Sequence, residues 1–484
     1  MKKIKALIAV LLSVTMCGIL ALATACGANG DDAGNGNIVS TGELKKDENG
    51  KVIFDDVTIK LETVVAGDDW AKFQDIINIF NREYDGQIYV NAHCTSDGLF
   101  ETQVADRISN NNNPPDFIMS HGKYHKNFAE KNLIQPMNET MELSGITVDF
   151  SKYSQGLIQY RTLGTDSSIY SLAADAQSIV VLYNKELLSE LGFEEAPTDR
   201  TALLEVCKKF KEQKNGAAIA WQDNDNNIDN FSEYSFCTAV LQNGGTLVNS
   251  EGKVDWYSNE SNRKAFQDAI SAYRELYDNG YATRNLGGGF GNFLNNKCIF
   301  YFAAPWHVEG LVQQVANNKG VTIEEAAEKY VGGVSTAKWF AMGENANKVC
   351  ANYIYGDSHM FAMTRSVSDI NKKAAILEFF NWFTTTEEIG VRWAKAGHIS
   401  SCSVVTNSQA YKSDVFVSEY ISNFYPNVDY FQCLPLTSVA EEFKKTIKSL
   451  YAATVLTTDY SEESDLTVIK NREQELNYST GFFE

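Results

Sequence analysis

From Cys298 to Ala304 the chain reads CIFYFAA, seven residues without a charge, with Asn295-Asn296-Lys297 before it and Pro305-Trp306 after it. An uncharged run of this length, with bulky apolar side chains in succession, reads as a strand buried on both faces of a parallel sheet. Such a strand needs covering elements above and below it, so the run already selects a layered α/β architecture. Upstream, Leu286 to Leu294 reads as a glycine-loosened loop and a short helical turn through Phe290, Phe293 and Leu294. Pro305 ends the ladder and fixes the backbone. Ligands of open α/β sheets sit beyond the carboxyl ends of the strands, which makes Trp306 a flat apolar surface at a cleft rim; the competing reading is a core tryptophan closing the strand.

The N-terminal half shows the matching alternation. Val57 to Val65 has the period of a strand and runs into Gly67-Asp68-Asp69-Trp70, where either aspartate can cap a helix carrying Trp70, Phe73, Ile77, Phe80 and Tyr84 on one face. A strand at Gln87 to Ala92, a helix through Phe100, Val104 and Ile108, a short strand at Phe117 to Met119 and a helix from Tyr124 to Leu133 follow. Strand and helix in turn imply a doubly wound lobe with parallel pairing. The stretch from Val52 to Glu484 exceeds one ordinary core and implies two lobes.

The first five residues hold three lysines, and an apolar run from Ala6 to Ala23 follows. That is the pattern of a secretory signal peptide over residues 1–25, against the alternative of an uncleaved membrane helix. Leu22-Ala23-Thr24-Ala25-Cys26 resembles the lipobox of bacterial lipoproteins, with Ala23 in the position usually held by leucine. The resemblance implies a signal peptide cut before Cys26, acylation of that cysteine with chains such as palmitate, and attachment to the outer face of the cell membrane of a Gram-positive cell. Several acyl chains on one cysteine hold a protein stably where one chain does not. Residues 26–50 are glycine-rich, carry no aromatic side chain and read as a flexible tether.

Net charge is -20, and removal of residues 1–25, which carry Lys2, Lys3 and Lys5 and no acid, takes it to -23. A surface of that sign repels nucleic acid and anionic lipid, so no nucleic acid partner is expected. Cys94, Cys207, Cys237, Cys298, Cys350, Cys402 and Cys433 are scattered and odd in number, which argues against a disulfide framework and for buried small hydrophobes.

Taken in order, these segments resemble the extracellular solute-binding proteins of ABC importers. The lipobox, the Gly67-Asp68-Asp69-Trp70 loop and Pro115-Asp116 opening an apolar strand carry the resemblance at the front. Ile169-Tyr170-Ser171-Leu172 followed by Val181-Leu182-Tyr183-Asn184-Lys185 is similar to the family's first crossing between lobes, with Ala173 for the usual proline. Phe293-Leu294-Asn295-Asn296-Lys297 before Pro305-Trp306, the strand Phe361 to Ser366, the helix Lys372 to Phe383 and Gly397-His398-Ile399 continue it, and the order is that of the maltose-type, carbohydrate-binding branch. The resemblance implies a periplasmic-binding-protein-like α/β fold with two discontinuous doubly wound lobes joined by hinge crossings. Lobe one would hold about 55–176 plus 340–400, and lobe two 177–339 plus 401–484. It further implies a monomer that closes over a sugar, hands it to membrane permease subunits, and uses no cofactor and no covalent chemistry.

Sugars offer apolar ring faces to aromatic side chains and hydroxyls to polar ones. On the resemblance, the candidates are Trp306; Asp68, Asp69 and Trp70 after the first strand; Ser120, His121 and Lys123 after the third; Asp175 and Gln177 at the crossing; and Trp221, Gln222 and Asp225 after the strand Ala217 to Ala220. Ser120 stands where the maltose-binding relatives place an aromatic residue, which argues for a different sugar.

Sharper motifs fail on inspection. Asp223 to Asp229 imitates a calcium loop, but Ile228 and Tyr234 occupy the positions of its glycine and glutamate. His121 and His125 share a helical spacing without further zinc ligands, so no metal is expected. Gly287 to Gly291 lacks the lysine of a phosphate loop. Two other classes stay open: a surface-anchored glycoside hydrolase using two carboxylates, and a receptor for a non-sugar solute such as a polyamine.

Overall fold

The structure is a computed structural model that describes residues 40–479 apart from 159–161, 163–166, 222–227, 285–287, 436 and 438, with the side chains of 68, 97, 155, 228–232 and 479 also outside the description. Cys26 and the signal peptide lie outside the described residues. In chain order the first strands are β1 (Val57–Thr63), β2 (Ile88–Cys94), β3 (Phe117–His121), β4 (Ile134–Gln135), β5 (Ser171–Ala173), β6 (Asp175–Ala176) and β7 (Val180–Asn184). The later ones are β8 (Ile219–Trp221), β9 (Phe300–Ala303), β10 (Val331–Val334), β11 (Ile354–Gly356), β12 (His359–Thr364), β13 (Ile399–Ser400) and β14 (Phe431–Cys433).

One sheet runs β2-β1-β3-β12-β4, with β5 also on β12. Its front half is parallel, β1 pairing with β2 and β3, because the helices Asp68–Glu83 and Asp97–Ser109 fill the connections. β12 returns antiparallel to β3. The helix Ile370–Thr385 covers this sheet: Asp369 caps it by accepting from the Asn371 N–H, and Phe379, Phe380 and Phe383 interlock with Phe361 of β12, the Phe361 and Phe380 rings stacking at 4.8 Å.

The second sheet runs β10-β7-β9-β8. The apolar run Cys298–Ala304 is its centre and is buried throughout. The expected parallel sheet is corrected here: β9 is parallel to β8 but antiparallel to β7, since β7 arrives from β5 of the first sheet rather than through a helical crossover within the second. The helix Glu260–Asp278 covers one face; Asn259 caps it, and Ala265, Phe266, Ala269, Ile270, Tyr273 and Leu276 keep the spacing of a core stripe.

Three short chain segments lie between the sheets. Asp175-Ala176-Gln177 leads from β5 to β7, Gly356-Asp357-Ser358 leads from β11 to β12, and Ile399-Ser400 follows the helix Glu387–Lys395. They are stitched together: Ile399 pairs with Ala176, Ser400 with Asp175, and Gln177 and Asp357 exchange two backbone hydrogen bonds of 2.8 Å each.

Three further expectations are corrected. Residues 40–50 are held rather than loose: the Thr41 N–H donates to the Ser368 carbonyl, the Ile370 N–H donates to Thr41, and Leu44 packs on the first core. Neither aspartate of the Gly67 loop caps its helix; Gly67 takes that place at φ 64, and Asp69 turns to the domain interior instead. Cys94 is exposed and Cys350 half-buried, while the other described cysteines are buried; none of the seven is in a disulfide, as the scattered spacing implied. Among the described residues no helix is long and apolar enough to cross a membrane.

Candidate functional site

A cavity of about 320 Å³ opens where the carboxyl ends of both sheets meet the three crossing segments. That volume falls at the lower end of the range of about 300–1,000 Å³ for small-molecule sites. From the first sheet it is lined by Val64, Val65, Ala66 and Asp69 beyond β1, Ser96 beyond β2, and His121 and Lys123 at the end of β3. Tyr234, Trp306 and Lys444 line it from the other side, and Gln177, His359 and His398 form its floor at the crossings. The site thus lies beyond strand ends, as open α/β sheets dictate.

Trp306 reaches the cavity because β9 stops at Ala303 and Pro305 starts a tight 3-10 turn, Pro305–His307, before the helix Val308–Lys319. Gly397, at φ +97, packs against the Pro305 backbone, where an added Cβ would sit 2.5 Å from the Pro305 carbonyl carbon. Trp306 is half-buried and also borders a groove of about 680 Å³ lined by Phe290, Tyr301, His307 and Gln313. A chain-like ligand longer than the inner cavity therefore has somewhere to extend.

Behind the cavity wall the charges are buried and paired. Lys123 lies 3.1 Å from Glu233 and 3.4 Å from Asp357, all three essentially without solvent contact. Burial opposes a charge on Lys123, but the Glu233 carboxylate and, further on, Asp357 outweigh it, so its pKa stands well above the usual lysine value. His121 Nδ1 lies 3.1 Å from Asp357. Burial would raise the Asp357 carboxyl, yet Lys123 and then His121 hold it well below the usual carboxylate range.

Deeper still, Asp175 accepts hydrogen bonds of 2.8 Å from the His359 backbone N–H, from His359 Nδ1 and from Trp393 Nε1. His398 lies flat on Trp393, rings 4.1 Å apart, with its Nε2 3.2 Å from Asp69. Burial would lower the His398 imidazole, but Asp175 and then Asp69 raise it to about 9. His359 and His398 together hold the Asp175 carboxyl well below its ordinary value despite burial.

Of the residues expected at the site, Trp306, Asp69, His121, Lys123 and Gln177 come together around the cavity, with Asp175 directly beneath it. Ser120 faces away, bonded to His125 Nε2 at 2.9 Å in a buried pocket where burial lowers the His125 imidazole to about 3. Trp70 packs against Phe73. Trp221 is the last residue of β8 rather than part of the following loop; it is buried against Phe302, and its indole N–H donates to the Thr283 carbonyl at 3.0 Å. The Asp68 side chain, Gln222 and Asp225 lie outside the described residues. The zinc pairing weighed for His121 and His125 does not form, since they turn to Asp357 and Ser120 respectively.

Sequence reasoning missed Tyr234, His359, His398 and Lys444. A signal existed for two of them. His398 follows a glycine at the start of the third crossing, and His359 stands two residues before Phe361, where the strand was expected to begin. Tyr234 and Lys444 sit on helices Ile228–Gln242 and Ala440–Thr454 with nothing local to mark them.

At the outer mouth Lys72 and Glu309 form an ion pair of 2.6 Å between the helices that follow β1 and β9. Both side chains are partly exposed, so Lys72→Ala should change ligand affinity by no more than about 1 kcal/mol. Titrating both proteins at two ionic strengths checks this; the wild-type advantage should shrink as salt rises.

Comparison with known proteins agrees with this architecture. No curated protein sequence matches the chain. Among solved structures, the sugar-binding protein MalE from Xanthomonas citri is similar with a TM-score of 0.68 at 15% identity, covering 88% of this chain and 99% of that one. The GacH receptor of Streptomyces glaucescens, solved unliganded and with acarbose, is similar with a TM-score of 0.65 at 15% identity over 87% and 98%. The cyclic alpha-maltosyl-1,6-maltose binding protein from Arthrobacter globiformis gives 0.65 at 14% over 87% and 98%. These likenesses establish the periplasmic-binding-protein-like fold of two α/β lobes. Residues 67–389 match the bacterial extracellular solute-binding protein family, and with two sheets meeting at a cavity floored by three crossings, the chain belongs to that family.

Proposed function

We propose that this protein captures a carbohydrate, an oligosaccharide rather than a single sugar, between two lobes and delivers it unaltered to the permease subunits of an ABC importer. The observation that carries the reading is the cavity itself: one half-buried indole, Trp306, stands at a pocket whose lining includes Asp69, His121, Gln177, Tyr234 and Lys444 beside the apolar Val64, Val65 and Ala66. An aromatic plane with polar groups around it suits a pyranose, which has one apolar face and a rim of hydroxyls. The groove beyond Trp306 supports an extended ligand. The neighbours crystallised as maltose-type or acarbose receptors support the same class.

On this reading the chain divides into a lobe one of about 55–176 and 340–400 and a lobe two of about 177–339 and 401–484. Packing of Trp339, Phe340 and Tyr355 in the core of the second sheet supports a return to lobe one at the crossing Gly356-Asp357-Ser358 rather than at 340. Closure requires that the ligand touch both lobes, because only differential affinity for the closed form shifts the population.

The competing classes fit less well. Hydrolysis of a glycosidic bond uses two carboxyl groups at the substrate. Asp69 is the one acid among the described residues lining the cavity, whereas Asp175, Asp357 and Glu233 are engaged behind it. A polyamine receptor would not place Lys444 on the wall. Titration calorimetry with linear and cyclic maltodextrins, followed by mass analysis of the recovered sugar, tests the proposal. Saturable one-to-one binding with intact sugar is the expected result, and shortened sugar would establish a hydrolase instead.

The protein is further proposed to act as a monomer, held outside the cell by acyl chains on Cys26. The Cys26→Ser variant should then appear in the soluble fraction of cells; retention of the processed variant in membranes would contradict the anchor.

A further inference from the structure

The three crossings carry a set of donors that sugar capture does not require. Asp175 belongs to the first, His359 directly follows the second, and His398 directly precedes the third. One ligand-type atom from each lies within 4.8 Å of the others, and all three residues are buried. Asp175 Oδ2 is 2.8 Å from His359 Nδ1 and 3.3 Å from His398 Nδ1. Donors bound to one zinc ion at about 2.0–2.1 Å stand roughly 3.3 Å apart in a tetrahedron; the Asp175–His398 pair has that spacing, the Asp175–His359 pair is closer, and no two donors of the set are more than 4.8 Å apart.

Two features of the surroundings point the same way. Metal-binding imidazoles pass their other N–H to an outer acceptor. His398 has one, Asp69, at 3.2 Å from its Nε2. His359 Nε2 faces the Gln177 side-chain nitrogen at 3.4 Å, while the buried Gln177 Oε1 has no hydrogen-bond partner among the described residues. Turning that amide over presents Oε1 to an Nε2–H and satisfies the orphan, which is the tautomer that frees His359 Nδ1 for a metal. His398 Nδ1, also buried, makes no aligned hydrogen bond to Asp175. The local charge is unbalanced as well: Asp69, Asp175, Glu233 and Asp357 are four buried carboxylates, faced by Lys123 and by the imidazole of His398 between Asp69 and Asp175. Buried charges need partners, and a dication supplies two.

We propose that Asp175, His359 and His398 form a hinge-spanning site for a zinc-class divalent cation, with Asp69 and Gln177 as its outer partners and an open position toward the cavity. Two imidazoles and one carboxylate are the donor set that suits zinc, cobalt or nickel rather than calcium or magnesium. On binding, His398 gives up its Nδ1 proton and the His359 proton moves to Nε2. Because each ligand comes from a different crossing, the ion staples the hinge and couples metal to lobe closure.

The test uses purified, tag-free protein freed of metal with a chelator and titrated with cobalt chloride. One cobalt per chain, with the visible absorption of a four-coordinate ion and a raised melting temperature, is expected. His359→Asn should abolish the band, and Asp69→Asn, which leaves the three ligands in place, should weaken binding about 10–100-fold. Absence of stoichiometric cobalt binding overturns the site. Binding that survives in folded His359→Asn, or equal affinity in Asp69→Asn should His359→Asn not fold, overturns it too and leaves Asp175 as a hydrogen-bond hub only.

Discussion

Lys123→Ala should lower the folding free energy by about 3–5 kcal/mol, the range for removing one partner of a buried ion pair. The ammonium group lies between Glu233, fully buried on the helix Ile228–Gln242, and Asp357 in the second crossing. Its loss leaves Glu233 without its cation and Asp357 with His121 alone. Glu233 keeps a long hydrogen bond from the Tyr355 hydroxyl, at 3.3 Å, and Asp357 keeps the Ser358 N–H at 2.8 Å and His121 Nδ1 at 3.1 Å. Guanidinium denaturation measures the cost. The double variant Lys123→Met with Glu233→Gln should recover part of it, since removing both charges is less harmful than stranding one. Because Lys123 follows β3 of the first sheet and Glu233 packs beneath the second, the same substitution should loosen the contact between the lobes.

Trp306→Ala should weaken oligosaccharide binding by about 1–3 kcal/mol, as truncation of a central aromatic anchor does, with melting temperature nearly unchanged. In affinity that is about 5- to 150-fold. The fold should tolerate it because the indole is half-buried and belongs to the turn Pro305–His307 at a cavity edge, not to the packed strand before it. Trp221 serves as the control. It comes from the same sheet, but it is buried against Phe302 and Tyr277, so Trp221→Ala should cost about 3–5 kcal/mol of stability. Calorimetric titration and thermal melting of both variants separate the two roles. Unchanged affinity in Trp306→Ala would remove that residue from the site.

Much of the fold could be read from residue patterns. The strand-helix alternation from Val57 to Leu133 and the uncharged run at Cys298–Ala304 are local signals, and each produced the element it implied. The mixed direction of the second sheet was not readable, because strand direction depends on where a crossing enters and no residue in Val180–Asn184 records that. Trp221 was misplaced by a single residue of strand length, which turned a loop position into a core position. Asp69 was foreseen at the cavity but also as a helix cap. The buried imidazole of His398 offers it a partner that no local pattern shows. The hub around Asp175 was invisible for the same reason: residues 175, 359 and 398 meet only because three crossings lie side by side.

Hydrogen exchange with and without the maltodextrin that binds most tightly tests the central claim most directly. If the sugar is gripped between lobes, amides at 64–69, 121–124, 177–179 and 306–309 should all gain protection on binding, from both sheets and from the crossing between them. Protection confined to one side of the cavity, or absent from all four segments at saturating sugar, would contradict capture between the lobes.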